Sequence, residues 1–155
     1  MKQDFSEVVD VGATPAAAWS TVEDIANVLS WISIVDDVAT IEPGSRYTAV
    51  LQDKLGPFKL HADLGIDVHA DETLQRIVAR AEGEDRQIGS RLTVDVRLEI
   101  IEHDGAATVS ISGAYEVTGR PASLGAGSIR KKANKVLNEF FTRLGAELES
   151  PVGQV

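Results

Sequence analysis

One long amphipathic segment, residues 123–148, constrains the fold more than any other part of the sequence. Its apolar residues recur at spacings of three and four, so they form a stripe along one side of an α-helix of about seven turns. Charged and amide side chains occupy the opposite side. A helix of this kind needs an apolar surface to pack against. The stripe consists of Ile129, Ala133, Val136, Leu137, Phe140, Phe141, Leu144 and Leu148.

Alternating apolar and polar residues ahead of this helix predict an antiparallel β-sheet. The clearest strand is residues 58–69, where every second side chain from Phe58 to Val68 is apolar. This alternation is typical of a sheet with one face on the core and the other in water. Turn signals separate the predicted strands, and residues 82–89 form a predicted loop. The other strands are predicted at residues 4–11, 32–41, 47–52, 74–81, 91–100 and 108–117.

The segment after the first strand predicts short helices. Thr14 can cap a helix whose first residue is Pro15, and both residue types are favoured at those positions. The apolar residues that follow at helical spacing predict one helix over residues 15–29, or two short ones bent near Glu23-Asp24. They are Ala18, Trp19, Val22, Ile25, Ala26 and Leu29.

These elements predict an α+β fold, in which a curved antiparallel sheet wraps around a long C-terminal helix, with short helices after the first strand. A long, twisted antiparallel sheet curls instead of staying flat. Because one helix cannot cover the whole concave face, we expect an internal cavity lined by small and branched side chains. At 155 residues the chain has the size of one domain. We assign residues 1–150 to this domain and residues 151–155 to a frayed tail.

Composition excludes several classes of function. A net charge of −9 argues against nucleic-acid binding, which needs a positive field along the phosphates. The chain has no cysteine, which excludes thiolate metal sites and a cysteine nucleophile. No apolar run reaches the ~18 residues of a membrane span, and the N-terminus has no signal-peptide core. We therefore expect a cytoplasmic protein without stable membrane insertion.

Four stretches of the sequence carry a resemblance to a known family. Residues 47–59 read YTAVLQDKLGPFK, a strand, a Gly-Pro turn and a second strand, and residues 115–119 end the last strand with Tyr and Gly. The other two are Ala18-Trp19 with Val22 and Asp24, and the closing-helix pattern of Ala122, Leu124, Gly125, Ile129, Ala133, Phe140, Phe141 and Leu144. In these stretches the chain resembles the carbon monoxide dehydrogenase G-subunit family, within the START-like (SRPBCC, helix-grip) superfamily.

The resemblance implies a helix-grip fold with an apolar cavity. The superfamily binds lipids, sterols, polyketides and other hydrophobic molecules. The G-subunit family is associated with membrane recruitment and quinone handling in the molybdenum carbon monoxide dehydrogenase system. The sequence departs from the family in two places. Ser33 and Ile34 stand where the family tends to have Pro-Gly, and the chain stops at Val155, where members often continue into a membrane-associating segment.

We therefore expect a protein that binds a quinone- or lipid-like molecule internally, as an accessory to a redox enzyme of the carbon monoxide dehydrogenase type. No catalytic nucleophile, metal site or cofactor of its own is predicted. The predicted ligand-binding residues are Leu29, Trp31, Tyr47, Leu51, Leu60, Leu64, Val94, Tyr115, Ile129, Ala133, Val136 and Leu137. Trp31 could cap the opening of the cavity, and Tyr47 or Tyr115 could offer a hydroxyl to a carbonyl or quinone oxygen, or all three could simply fill the core.

Two other functions stay open at this point. The first is an enzyme of the polyketide cyclase or dehydratase kind that uses the same cavity, for which Glu7, Tyr47 and Tyr115 are the polar candidates. The second is a protein-interaction module related to the stress-response branch of the superfamily, which would show a filled interior and an exposed apolar patch.

Several polar groupings invite a more specific chemistry. His61 and His69 share a strand face with Asp63 and Asp67, but this is the polar face, so we expect them in solvent and not around a metal. Asp36-Asp37 and residues 82–85 lack the spacing of a calcium loop. The basic cluster is either a solvated helix face or a docking site for a partner or a ligand head group, and its Lys132 could reach the cavity rim. The cluster consists of Arg130, Lys131, Lys132 and Lys135.

Overall fold

A computed structural model describes residues 1–149 of the chain as a seven-stranded antiparallel sheet with a long C-terminal helix. Residues 150–155, which include the predicted tail, lie outside the described residues. The helices are α1 (Pro15–Val22), α2 (Ile25–Leu29) and α3 (Ala126–Glu147), with a 3₁₀ turn (Arg120–Leu124) before α3. The strands are β1 (Lys2–Val11), β2 (Val35–Glu42), β3 (Arg46–Leu55), β4 (Phe58–Asp71), β5 (Arg76–Asp85), β6 (Ser90–His103) and β7 (Ala106–Gly119).

The order of the strands across the sheet is β1-β7-β6-β5-β4-β3-β2, so the first two strands in sequence lie at opposite edges. Helices α1 and α2 connect those edges, and the remaining strands follow one another as hairpins. The tight turns use backbone conformations that favour glycine. Gly56 between β3 and β4 has φ 57°, and Gly105 between β6 and β7 has φ 82°. The predicted fold class is therefore confirmed.

Several predicted boundaries were inaccurate, including the following three. Residues 32–34 form a turn and not the start of β2, because the N–H of Val35 bonds back to the carbonyl of Ile32 (3.0 Å). Strand β5 continues to Asp85, and its residues 82–85 are not a loop. The apolar alternation is not visible there, because the inward positions are occupied by Gly83, which has no side chain, and by Asp85, which is charged. The C-terminal helix begins at Ala126, after the 3₁₀ turn.

The predicted bend between the two short helices is present. Helix α1 ends at Val22 and α2 begins at Ile25, with Asp24 as its cap. The side chain of Asp24 accepts a hydrogen bond from the N–H of Asn27 at 3.3 Å. The carboxylate thereby satisfies one of the free donors at the start of α2, which is why the chain restarts a helix at this point.

The concave face of the sheet forms the core and the convex face is charged. On β4 the side chains alternate strictly, from buried Leu60 and Leu64 to exposed His61 and Asp63. On the convex face Arg80 pairs with two carboxylates of the neighbouring positions, Glu82 at 2.7 Å and Asp95 at 3.0 Å. Water screens these exposed pairs, so they contribute little to stability, and the fold depends on the apolar concave side.

Candidate functional site

The C-terminal end of α3 is firmly packed on the sheet and the loop after β1. Leu144 is 0 % exposed and Leu148 is 1 % exposed. The N–H of Ala13, between β1 and α1, donates to the carbonyl of Leu148 at 3.2 Å. Gly145 faces Val9 of β1, and a Cβ at this position would meet the valine side chain at an ordinary contact distance of 3.6 Å. This end of the helix belongs to the main hydrophobic cluster of the protein.

The N-terminal half of α3 contacts a different and smaller cluster. Its one buried side chain is Ile129, which lies with Tyr115 and Val117 of β7. Half-buried apolar residues complete this cluster. They are Met1, Phe5, Leu92, Val94 and Ala133. The two ends of the same helix therefore rest on separate groups of buried residues.

Between these ends, the apolar stripe is not fully covered. Val136 and Leu137 are half-buried, and within residues 1–149 neither hydrophobic cluster includes them. On the concave face, the apolar side chains in the middle of β5 and β6 are also half-buried, whereas the inward side chains of β4 are buried. These half-buried apolar side chains mark an inner surface that the protein covers only in part, and we call the region over this surface the interior hollow. Its sheet side consists of the half-buried Ala79, Ala81, Val94 and Val96, of which Ala79, Ala81 and Val96 also pack against the main cluster.

The residues predicted to bind a ligand divide among these three regions. Tyr115, Val94, Ile129 and Ala133 come together in the smaller cluster. Val136 and Leu137 lie at the hollow itself. The other six belong to the main cluster, where all but Leu29 are buried. They are Leu29, Trp31, Tyr47, Leu51, Leu60 and Leu64. The sequence did not single out Ala79, Ala81 or Val96, although the alternation of β5 and β6 already placed them on the inner face.

The two tyrosines of the concave face differ in how their hydroxyl groups are used. The hydroxyl of Tyr47 accepts a hydrogen bond from the N–H of Gly44 at 2.7 Å. The hydroxyl of Tyr115 is buried and has no hydrogen-bond partner within the described part of the chain. The ring of Tyr115 stacks against Phe5 with the centroids 6.5 Å apart. Burial raises the pKa of the Tyr115 hydroxyl, and the charge of Arg130 opposes this shift. The group is therefore a neutral donor at physiological pH.

Two polar contacts fasten the N-terminal half of α3 to opposite sides of the sheet. On one side, Nε of Arg130 donates to the side-chain oxygen of Gln3 on β1 at 3.0 Å. On the other, Nζ of Lys132 lies 3.0 Å from a carboxylate oxygen of Asp53 on β3, whose side chain is only 12 % exposed. Lys132 thus extends from the flank of the helix to the concave edge of β3. In the sequence, the signal for the partner of Lys132 is the single acidic residue, Asp53, between the apolar positions Leu51 and Leu55.

A shallow groove of about 860 Å³ lies on the outer side of α3 and is distinct from the interior hollow. Lys131 and Lys135 line it together with Glu139, and Trp31 borders it. Trp31 is 4 % exposed and its ring lies 6.3 Å from that of Phe140. The basic cluster is therefore divided, because two of its members line this groove and the other two contact β1 and β3.

The remaining polar candidates lie away from the interior. His61 and His69 are exposed on the convex face, as predicted, and Glu7 is exposed. Asp85 is buried, and its carboxylate accepts the backbone N–H groups of His61 (2.8 Å) and Gln87 (3.0 Å), so it completes the end of the sheet. Within residues 1–149 no three acidic or histidine side chains come together as a metal site would require. None of the helices in that range combines the length and apolar character needed to cross a bilayer.

Comparison with solved structures agrees with this architecture. A conserved protein from Geobacillus kaustophilus superposes with a TM-score of 0.76 at 18% identity, covering 96% of this chain and 95% of that one. A START superfamily protein from Mycobacterium smegmatis superposes with a TM-score of 0.67 at 13% identity, covering 94% and 96%. At these identities the likeness shows a START-like fold. Among curated proteins, none matches the sequence significantly.

A family profile provides the remaining comparison. The profile of CoxG, the G subunit of carbon monoxide dehydrogenase, matches residues 8–149, from within β1 to the end of the closing helix. The match thus covers every element that surrounds the interior hollow. The chain belongs to the CoxG family, that of the carbon monoxide dehydrogenase G subunit.

Proposed function

We propose that this protein binds a quinone- or lipid-like molecule in the interior hollow between α3 and the middle of the sheet. The observation that carries the proposal is the incomplete burial of Val136 and Leu137 on the inner side of α3. A ligand that covers these side chains removes apolar surface from water at both the helix and the sheet. The family and the START-like fold support the hydrophobic character of the ligand.

The energetics favour a ligand with a long chain or several rings. Each methylene group moved from water to an apolar site contributes ~0.8 kcal/mol. Association costs about 4–15 kcal/mol in lost translational and rotational freedom. A purely apolar ligand therefore has to bury roughly 5 to 20 methylene equivalents before binding becomes favourable. Quinones with an isoprenoid tail and fatty acids meet this requirement, whereas small polar metabolites do not.

Thermal unfolding with and without such ligands tests the proposal. At a free ligand concentration 100 times Kd, binding stabilises the folded state by about 2.7 kcal/mol. For a domain of this size that raises Tm by about 5–10 °C. Ubiquinone-1, menadione, palmitate and oleate would serve as the panel, with native mass spectrometry of the freshly purified protein to detect a bound molecule. An unchanged Tm across the saturated panel, together with a mass equal to that of the bare chain, would refute the proposal.

We also propose that the protein works in the cytoplasm beside a redox enzyme of the carbon monoxide dehydrogenase type. Family membership supports this part of the proposal. The groove on the outer side of α3, with Lys131 and Lys135, offers a basic surface for such a contact in an acidic protein. Size-exclusion chromatography with a purified carbon monoxide dehydrogenase tests it. Co-elution that the double charge reversal Lys131→Glu/Lys135→Glu abolishes is expected, and separate elution at micromolar concentrations would contradict the contact.

A further inference from the structure

We propose that the hydroxyl of Tyr115 recognises a hydrogen-bond acceptor on the ligand, so that the preferred ligand is an apolar molecule carrying a carbonyl-type oxygen at one end. This inference rests on the proposed function and adds a residue that discriminates among hydrophobic ligands. Tyr115 is 7 % exposed, and its hydroxyl has no partner within residues 1–149.

A buried hydroxyl without a partner is unfavourable, because its hydrogen bonds to water are lost and nothing replaces them. Phenylalanine would keep the stacking on Phe5 and the contacts with Ile129 without this loss. The packing around Tyr115 thus accounts for the ring and leaves the hydroxyl unexplained. A bound ligand with an acceptor oxygen supplies the missing partner.

The position of Tyr115 next to the interior hollow favours a ligand as that partner. Val94 lies directly opposite Tyr115 in the register of β6 and β7. Val94 and Ala133 belong to the same cluster as Tyr115, and both remain half-buried. The accessible inner surface therefore runs past the tyrosine ring. The hydroxyl itself is closed off from solvent, so a ligand in the hollow reaches it once a neighbouring side chain such as Val94 moves aside.

The charge around Tyr115 fits an acceptor. Arg130 lies close enough for its positive charge to affect the phenol, and its guanidinium is held by Gln3, the residue opposite Tyr115 in the β1–β7 register. A neutral phenol donates one hydrogen bond, and the nearby cation attracts a partially negative oxygen. Among the described residues, the interior offers one other unpartnered donor on an aromatic ring, Nε1 of Trp19. Its helical neighbours Ala18 and Val22 are 0 % exposed, so that nitrogen lies in the filled part of the core.

A pair of ligands that differ only in the acceptor tests this inference. The probes are 2-undecanone and undecane, whose affinities would be measured by displacement of a fluorescent fatty acid from the wild-type protein and from Tyr115→Phe. One net hydrogen bond is worth about a 5- to 10-fold difference in affinity. We expect the wild type to prefer the ketone by this factor. In the variant we expect the preference to reverse in favour of undecane, because the buried carbonyl then loses its hydrogen bonds to water and finds no donor, while the affinity for undecane stays unchanged.

An infrared measurement gives a readout that a purely structural role of Tyr115 would not change. The carbonyl stretch of bound, ¹³C-labelled 2-undecanone shifts to lower frequency when a phenol donates to it. We expect this shift in the wild type and its loss in Tyr115→Phe, and the wild-type spectrum alone is informative if the variant does not fold. Binding of neither probe would refute the proposed function. Equal binding of both probes by the wild type, with no shift of the carbonyl stretch, would refute only the role of Tyr115. A buried water would then be the partner of its hydroxyl.

Discussion

The interior hollow makes a specific prediction about enlarging a side chain on the inner face of the sheet. Ala81 of β5 and Ala62 of β4 are both alanines on the concave side of neighbouring strands. Ala81 is half-buried at the hollow, whereas Ala62 is 1 % exposed in the packed core. Ala81→Leu should fill vacant space, and Ala62→Leu should overfill a space that is already occupied. The two substitutions are chemically identical, so differences in strand propensity largely cancel.

The expected effects on stability have opposite signs. Leucine adds three carbon atoms to alanine, and each buried methylene contributes ~0.8 kcal/mol, so Ala81→Leu gains up to about 2.4 kcal/mol if the added atoms leave water completely. Forcing the same atoms into a close-packed site costs about 1–3 kcal/mol. The two variants should therefore differ in their free energy of unfolding by about 1–5 kcal/mol.

Urea unfolding of the ligand-free protein measures this difference, with the slope m checked for constancy so that midpoints can be compared. The same variants should separate in ligand binding. Ala81→Leu occupies the proposed ligand volume and should weaken binding of palmitate by at least tenfold while raising stability. A destabilisation of both variants by a similar amount would mean that the protein's own side chains fill the interior, and the argument for a ligand-binding cavity would fail.

Three further predictions concern the elements around the hollow. Leu144→Ala should lower the free energy of unfolding by about 2–5 kcal/mol in urea, because this side chain is 0 % exposed, and a loss below 1 kcal/mol would contradict the firm attachment of the C-terminal end of α3. Lys132→Met should lower the free energy of unfolding by about 1–2 kcal/mol, between the values for exposed and buried ion pairs, because it leaves the largely buried carboxylate of Asp53 without its cation. The matched control is Lys131→Met on the outer groove, which should lower it by less than about 0.5 kcal/mol. Burial raises the pKa of Tyr115 in the folded protein, so its contribution to stability is complete below about pH 10 and is lost as the pH rises through the folded-state pKa. Between pH 9.5 and 11 the wild type should therefore lose more stability than Tyr115→Phe, and equal losses in chemical unfolding would count against a buried phenol.

The sequence predicted the fold because the fold depends on periodicity, and periodicity is local. The period of two on β4 and the spacing of three and four on α3 each identify an element and its buried face without knowledge of the rest of the chain. The errors fall where the local residue pattern is typical of a different element from the one that the residues form. Gly83 and Asp85 interrupt the apolar alternation of β5, so a paired strand end looks like a loop. The turn at residues 32–34 contains two isoleucines and looks like a strand.

The site was less predictable than the fold, because it depends on how completely each apolar side chain is covered. In the sequence, Val136 and Leu144 are equivalent members of one stripe. In the structure Leu144 is 0 % exposed, whereas Val136 is half-buried. This difference arises from the curvature of the sheet beneath the helix, which involves pairings from β1 to β7. Similarly, nothing in the sequence shows that the hydroxyl of Tyr47 is bonded to Gly44 while that of Tyr115 has no partner in the described part of the chain.

The uneven burial of α3 couples the stability of the protein to its proposed ligand. Complete burial of an aliphatic side chain contributes about 1.5–3 kcal/mol, so the partial exposure of Val136 and Leu137 leaves part of that stabilisation unrealised. The chain tolerates this because the two ends of the helix are held independently, by Leu144 and Leu148 at one end and by Ile129 at the other. A ligand that covers the middle recovers the missing contribution as binding energy. The same inner surface can therefore stabilise the folded chain or bind a ligand. A substitution such as Ala81→Leu that increases the free energy of unfolding must therefore weaken ligand binding.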